Sequence, residues 1–178
     1  MRIGILTISD RASRGDYADR AGPAMEEWLA HAISSPWNPV RRVIPDGVES
    51  VRAALVHMAD EERLDLVLTS GGTGPAPRDL TPEAMRLVFE KELPGFGEVM
   101  RRASLKEVPT AILSRQTAGV RGTTLIVNLP GKPAAIATCL SAVFPAVPYA
   151  LDLIGAGRIE THPAVVAAFR PGSESRNG

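Results

Sequence analysis

Residues 66–82 read LVLTSGGTGPAPRDLTP. The stretch opens as an apolar strand, Leu66-Val67-Leu68, and breaks into Gly71-Gly72-Thr73-Gly74. Pro75 and Pro77 stiffen the loop, Arg78-Asp79 closes it, and Thr81-Pro82 is expected to start a helix with Thr81 as N-cap and Pro82 at N1. Glycine admits positive φ and leaves no Cβ between the main chain and a ligand. The exposed N–H groups of such a turn attract negative charge. Arg78 adds a guanidinium suited to phosphate or carboxylate, and Asp79 a carboxylate suited to a divalent cation. The stretch has neither the Gly-Lys-Ser/Thr of a Walker loop nor G-x-G-x-x-G. A plain strand-to-loop turn therefore stays open as an alternative.

The pattern on either side is β-α-β-α-β. Ile3 to Ile8 is a nearly continuous apolar run, which suits a strand buried on both faces of a parallel sheet. Ser9-Asp10-Arg11-Ala12-Ser13-Arg14-Gly15 reads as a polar loop at its C-terminal end. Ligands bind beyond such ends, so Ser9, Asp10 and Arg11 are candidate contacts. Met25, Trp28, Leu29, Ala32 and Ile33 form a helical stripe with Pro23 in the first turn, ended by the Ser34–Pro39 segment. Val40 to Pro45 reads as a weaker strand running into Asp46-Gly47. A second helix carries Val51, Ala54, Leu55, Met58 and Ala59, and ends in the solvated Asp60-Glu61-Glu62-Arg63. The sum is an α/β fold, a mostly parallel sheet flanked by helices.

Beyond the loop, Met85, Val88 and Phe89 face inward, Pro94-Gly95-Phe96-Gly97 interrupts, and a helix is expected over about 98–106. Ser114-Arg115-Gln116 is a polar segment, Gly119-Val120-Arg121-Gly122 reads as a turn, and Thr123 to Val127 is a β-branched strand. That strand runs into Asn128-Leu129-Pro130-Gly131-Lys132-Pro133, again a strand, a glycine and a helix start. Ile136, Cys139, Leu140, Val143 and Phe144 stripe the next helix, so Cys139 reads as a small core residue. Pro145 and Pro148 kink or break the chain before residues 149–154. Residues 1–170 are read as one domain and 171–178 as a flexible tail, with fraying from Arg170.

Composition narrows the function. With 178 residues and 44% hydrophobic content, the chain can bury a real core. Lysine plus arginine and aspartate plus glutamate number 20 each, so the balance is not that of a nucleic-acid or membrane-surface protein. No apolar run is expected to reach the ~20 residues of a membrane helix, and the N-terminus does not read as a signal peptide. One cysteine excludes an internal disulfide and fits a reducing cytoplasm, and with three scattered histidines it leaves little for zinc. Asp46, the loop to Asp79, and Asn128 to Pro133 should converge at one sheet edge, with Arg78 and Lys132. Two carboxylates beside an anion-binding backbone suit a magnesium-bound polyphosphate.

The motifs together resemble the molybdopterin-binding, MogA-like proteins. The resemblance rests on Thr69-Ser70-Gly71-Gly72-Thr73-Gly74 with Arg78-Asp79-Leu80-Thr81-Pro82-Glu83, on Ile8-Ser9-Asp10-Arg11 and on Pro94-Gly95-Phe96-Gly97-Glu98. Leu113-Ser114-Arg115 and Leu129-Pro130-Gly131-Lys132-Pro133 add to it. It implies a three-layer α/β/α fold, a homotrimer, and a molybdopterin adenylyltransferase that takes ATP, magnesium and molybdopterin to adenylyl-molybdopterin and pyrophosphate. It also implies transient contact with a molybdenum-insertion enzyme. By the same resemblance Asp46 and Asp79 are the catalytic, metal-holding carboxylates. Ser70 to Gly74, Arg78, Ser114-Arg115, Asn128, Pro130, Gly131 and Lys132 are ligand-binding, with Lys132 where the family often carries an amide. A pterin-binding protein without turnover and a nucleotide pyrophosphatase are the alternatives on the same fold.

Overall fold

Four parallel strands end in one row. The computed structural model describes residues 1–172. It forms a six-stranded sheet in the order β2-β1-β3-β6-β5-β4, with β1 (Arg2–Ile8), β2 (Asn38–Ile44), β3 (Leu66–Ser70), β4 (Lys91–Glu92), β5 (Ala118–Arg121) and β6 (Thr124–Leu129). Strands β2, β1, β3 and β6 are mutually parallel, and β5 runs against both its neighbours. The register pairs Ile8 with Ile44, Thr7 with Ser70, and Ser70 with Leu129. The loops leaving these four ends therefore emerge side by side. From β1 the chain passes to β2 on one side and from β2 crosses back to β3 on the other, which makes the β1/β3 gap the switch point where such sheets bind ligands.

Alternation along the strands supplies two cores. Ile3, Ile5, Leu66, Leu68, Leu125 and Val127 belong to one apolar cluster. Onto it pack α2 (Ala21–Ala32), α5 (Pro94–Ser104), α6 (Pro133–Val143) and α7 (Val147–Ile154). Leu6, Ile8, Val67 and Ile126 belong to the other cluster, with α3 (Val48–Val56), its single π-turn at His57–Glu61, and α4 (Thr81–Arg86). This is the expected three-layer α/β/α arrangement. Trp28 is half-buried against the first core and meets Phe144 edge-on, the ring centroids 4.9 Å apart.

Several local expectations are corrected. Residues Asp10–Ser13 form a single helical turn, α1, because Ser9 Oγ accepts the Ala12 N–H. Strand β2 starts two residues early and contains Pro39, tolerated because β2 is an edge and needs no outward N–H. Leu80, not Thr81, is the N-cap of α4; Thr81 is the first helical residue, and its Oγ1 is buried without a partner. Pro94 to Gly97 does not interrupt a helix but forms the first turn of α5, where a missing proline N–H costs nothing. Gly119 to Arg121 is strand, not turn. Arg170 is not frayed: its Nε meets Asp152 Oδ2 at 2.5 Å and its Nη2 donates to Ile159 O at 2.9 Å. Residues 173–178 of the expected tail lie outside the described residues.

One helical stretch, Pro133–Ile154, is 22 residues long and apolar enough to span a membrane, contrary to the expectation that no run reaches that length. It is a broken core element. A 3₁₀ turn at Phe144–Ala146 divides α6 from α7, and Ile136, Leu140, Phe144 and Leu151 are buried in the first core.

Candidate active site

The glycine loop is shaped by close approaches on two sides. Gly71 has φ +113° and Gly72 φ +61°. A Cβ on Gly71 would overlap the carbonyl oxygen of Ile8, and one on Gly72 would overlap Thr81 Oγ1. Gly71 N–H donates to Leu129 O at 3.2 Å, Thr81 N–H to Gly72 O at 3.2 Å, and Ser70 Oγ to Pro130 O at 3.0 Å. The ends of β3 and β6 and the start of α4 are thus tied together by hydrogen bonds, and the end of β1 closes on them at Gly71. Asn128 is fully buried and donates from Nδ2 to Thr69 Oγ1 at 2.9 Å. It braces the strand ends inside the sheet rather than standing at the surface as a ligand contact.

Asp46 sits where β2 ends and is gripped by Asp10. Asp10 N–H donates to Asp46 Oδ2 at 2.8 Å, and Asp46 N–H returns to Asp10 Oδ1 at 3.1 Å. Arg78 closes the network, with Nη2 2.6 Å from Asp10 Oδ2, Nε 3.0 Å from the same oxygen, and Nη2 3.2 Å from Asp46 O. The Arg78 hydrogen bond holds the Asp10 carboxyl below its ordinary value. Arg78 and Asp10, expected as ligand contacts, are in this structure engaged with each other, and together they orient Asp46.

Arg115 plays the same part for Asp79. Its Nε donates to Gly74 O at 3.0 Å, its Nη2 to Asp79 O, and its Nη1 pairs with Glu83. Its own N–H donates to Thr73 O at 2.9 Å. One guanidinium therefore spans both ends of the 74–79 excursion and the first turn of α4. Burial is the largest influence on the Glu83 carboxyl and pushes it up, but the Arg115 hydrogen bond, the Glu83 main-chain N–H and the charges of Arg115 and Arg86 together outweigh it, and the net displacement is downward. Arg115, expected as an anion contact, is in this structure held by protein acceptors. Within the excursion, Asp79 Oδ2 accepts the Ala76 N–H at 3.0 Å.

Two clefts flank the loop. One, of about 320 Å³, lies between Thr73-Gly74, Ser114, Gln116 and the Gly131-Lys132 turn. The other, of about 290 Å³, is lined by Ser9, Arg11, Tyr17, Ser70, Gly71 and again Gly131. A Cβ on Gly131 would stand 3.9 Å from Gly71 Cα, so the wall between the clefts is two glycines thick. Ser114 Oγ donates to Gln116 Oε1 at 2.9 Å, and Lys132 is exposed at the N-cap of α6. A third, apolar groove of about 480 Å³ runs between α5 and the turn after α6, and shares no lining residue with the other two.

The donor set fits a hard divalent cation shared with phosphate. Among the described residues, Asp46 Oδ2 and Asp79 Oδ2 each take one main-chain N–H, and no protein donor reaches Oδ1 of either. Asp46 Oδ1 points toward the loop, 3.5 Å from where a Gly72 Cβ would be. No group of three or more metal-ligating side chains exists among the described residues. Two carboxylates with the remaining positions left to substrate and water is the pattern magnesium prefers.

A domain model described as "Probable molybdopterin binding domain" matches residues 4–149. The chain belongs to the molybdopterin-binding domain family. A Helicobacter pylori relative named molybdopterin adenylyltransferase is 51% identical over 171 residues, 96% of this chain and 97% of the relative. An Escherichia coli K12 relative of the same name is 48% identical over 189 residues, 99% of this chain and 97% of the relative. The solved structure of the molybdopterin biosynthesis enzyme MoaB from Thermus thermophilus superposes with a TM-score of 0.81 at 45% identity, covering 89% of this chain and 99% of that one.

In this member of the molybdopterin-binding domain family, four of the five quoted motifs meet at the clefts. The fifth, Pro94 to Gly97, lies on the apolar groove; Gly97 is there because a Cβ would overlap Gln116 O. Sequence reasoning did not single out Glu83, Gln116, Tyr17 or Arg20 as site residues. Glu83 was legible as part of the Arg78–Glu83 motif, whereas Tyr17 and Arg20 lie in an exposed polar segment with no motif.

Proposed function

We propose that this chain is a molybdopterin adenylyltransferase of molybdenum cofactor biosynthesis, a nucleotidyltransferase that moves AMP from ATP to molybdopterin. The observation that carries the reading is the pair of clefts that flank the glycine loop, with Asp46 beside Gly72 and Asp79 beside Gly74. Relatives of nearly the same length that carry this name agree with it. An oxygen of the terminal phosphate of molybdopterin forms a bond to the α-phosphorus of ATP. The bond from that phosphorus to the α,β-bridging oxygen breaks, and pyrophosphate leaves with the electron pair. No protein nucleophile is needed, so the chain contributes positioning and electrostatics.

Asp46 and Asp79 would hold magnesium, which when bound neutralises polyphosphate charge and orders the chain. The main-chain N–H groups of Gly72, Thr73 and Gly74 donate to no described protein acceptor and are available to phosphate oxygens. Ser114, Gln116 and Lys132 offer the larger cleft polar groups for a pterin edge and its phosphate. Arg78 and Arg115 keep the two carboxylates in place. The assembly belonging to this reading is a homotrimer, and the unpartnered apolar groove beside α5 supports packing of copies. A cytoplasmic location accords with Cys139 free and buried, and a transient partner for the product is the molybdenum-insertion enzyme.

The test is incubation of the protein with molybdopterin, ATP and magnesium, reading adenylyl-molybdopterin by mass and pyrophosphate alongside. Both should appear in step, and Asp79→Asn should lower the rate by at least about 10²-fold with the fold intact. Bound pterin without pyrophosphate would leave a binding protein. Hydrolysis of nucleotides without pterin would leave a pyrophosphatase. Full activity in Asp79→Asn would remove the role given to that residue.

A further inference from the structure

Two guanidinium groups stand at the mouth of the smaller cleft with no carboxylate bound to either. Arg11, on α1, lies 5.5 Å from the centroid of the Tyr17 ring, and Arg20, just ahead of α2, lies 5.6 Å from the same centroid. Both are exposed, and among the described residues neither makes an ion pair, whereas Arg14 is paired to Asp16, Arg78 to Asp10 and Arg115 to Glu83. The carboxylate nearest in sequence is already occupied. Asp19 Oδ1 accepts the N–H groups of Ala21 and Gly22 at 3.0 and 3.1 Å, and its Oδ2 accepts Thr7 Oγ1 at 3.1 Å, which caps α2 and fixes it to β1. The cleft that begins at Ser70 and Gly71 therefore ends at two cations gathered on one aromatic ring.

Two like charges gathered on one ring add to a single positive field, which the ring's negative face offsets only in part. A polyanion that reaches both meets that field and satisfies both planar forks, whose donor geometry matches phosphate. Tyr17 restrains both side chains before a ligand arrives, which lowers the ordering cost of binding. Resting on the adenylyltransferase reading, we propose that Arg11, Tyr17 and Arg20 form the subsite for the β- and γ-phosphates of ATP, and so for the pyrophosphate leaving group. As the bond from the α-phosphorus to the bridging oxygen breaks, negative charge grows on the β-phosphate. Two unpaired guanidiniums there stabilise the departing group more than the intact nucleotide. The larger cleft, with its Ser114–Gln116 pair and its apolar wall at Val108, Ala111 and Leu113, is left to the pterin.

The experiment titrates inorganic pyrophosphate into the full chain by calorimetry, with wild type, Arg11→Ala, Arg20→Ala, the double variant and Tyr17→Phe. Initial rates are measured against ATP and against molybdopterin in parallel. The double variant should lose pyrophosphate affinity by about ten- to hundredfold and raise KM for ATP, while KM for molybdopterin stays within about twofold. Tyr17→Phe keeps the ring and should bind pyrophosphate like wild type. Both arginines are exposed and unpaired, so melting temperature should not move. Unchanged pyrophosphate affinity in the double variant overturns the subsite, as does a loss that falls on molybdopterin or on free phosphate alone. The calorimetry needs no turnover, so it decides the subsite even if wild type forms no adenylyl-molybdopterin, a result that would overturn the transferase reading instead.

Discussion

Replacing Arg115 tests whether the glycine loop is held by the protein or by its ligand. Arg115→Ala removes two donations to main-chain carbonyls, Gly74 O and Asp79 O, and an ion pair to Glu83. A hydrogen bond from a charged group contributes about 1.5–3 kcal/mol when buried. The Arg115 side chain is 35% exposed, so water recovers part of each. About 0.5–1 kcal/mol per carbonyl and a similar amount for the ion pair is the fair discount, giving about 1.5–3 kcal/mol in all. For a chain of this size that is a fall of about 3–12 °C in melting temperature. Glu83 adds to it, because its Oε2 is buried without a partner and its carboxyl, no longer held low by Arg115, is pushed up by burial. Arg115→Lys restores one charge but not the fork, so it should recover no more than the ion-pair share. With the Asp79 backbone released, kcat should fall by about tenfold or more, while KM for ATP and for molybdopterin changes little. Calorimetric melting and steady-state kinetics measure both. An unchanged melting temperature with a raised KM would refute the reasoning and make Arg115 a substrate contact.

Gly71→Ala should be among the most damaging single-methyl changes in the chain. It places a Cβ at φ +113° against the Ile8 carbonyl, two faults of about 1–3 kcal/mol each, and a variant melting within about 2 °C of wild type contradicts that. Acid should reach the Asp10–Arg78 network late. Because Arg78 lowers the folded-state value, the contribution of Asp10 is complete above the ordinary carboxylate range and is lost only as pH falls through the depressed value. Carboxyl-carbon NMR should therefore show Asp10 titrating at higher pH in Arg78→Ala than in wild type; coincident curves would mean that the pair seen here does not persist in solution.

The sheet was readable because strands buried on both faces leave continuous apolar runs, as in Ile3 to Ile8 and Leu66 to Leu68. Where glycine and proline served packing rather than turning, the reading failed. Gly119 is a strand residue because a Cβ there would land in the Phe89 ring, and nothing in a Gly-Val-Arg-Gly string reveals a neighbour 30 residues away. Pro94 was misplaced for a related reason: the same residue types that end helices are tolerated in their first turn. At the site, the positions of Asp46, Asp79 and the glycine loop were legible, but the jobs of the arginines were not. A cation near a glycine loop looks like an anion contact until its carboxylate appears, and Asp10 lies 68 positions from Arg78. The 22-residue apolar stretch Pro133–Ile154 was not legible as membrane-length because Pro145 and Pro148 divide it in the sequence, and a 3₁₀ turn does stand at Phe144–Ala146.

The wall where Gly131 faces Gly71 bears on release as much as on reaction. If pterin and nucleotide occupy one cleft each, as proposed, the joined product is a single molecule with one end in each cleft, a bivalent ligand. When one end lets go, the other keeps it at high local concentration, and rebinding outruns escape. Such a product departs slowly into bulk water but readily to an acceptor that captures the first freed end. A wall without side chains therefore favours passing a labile compound from hand to hand over letting it diffuse.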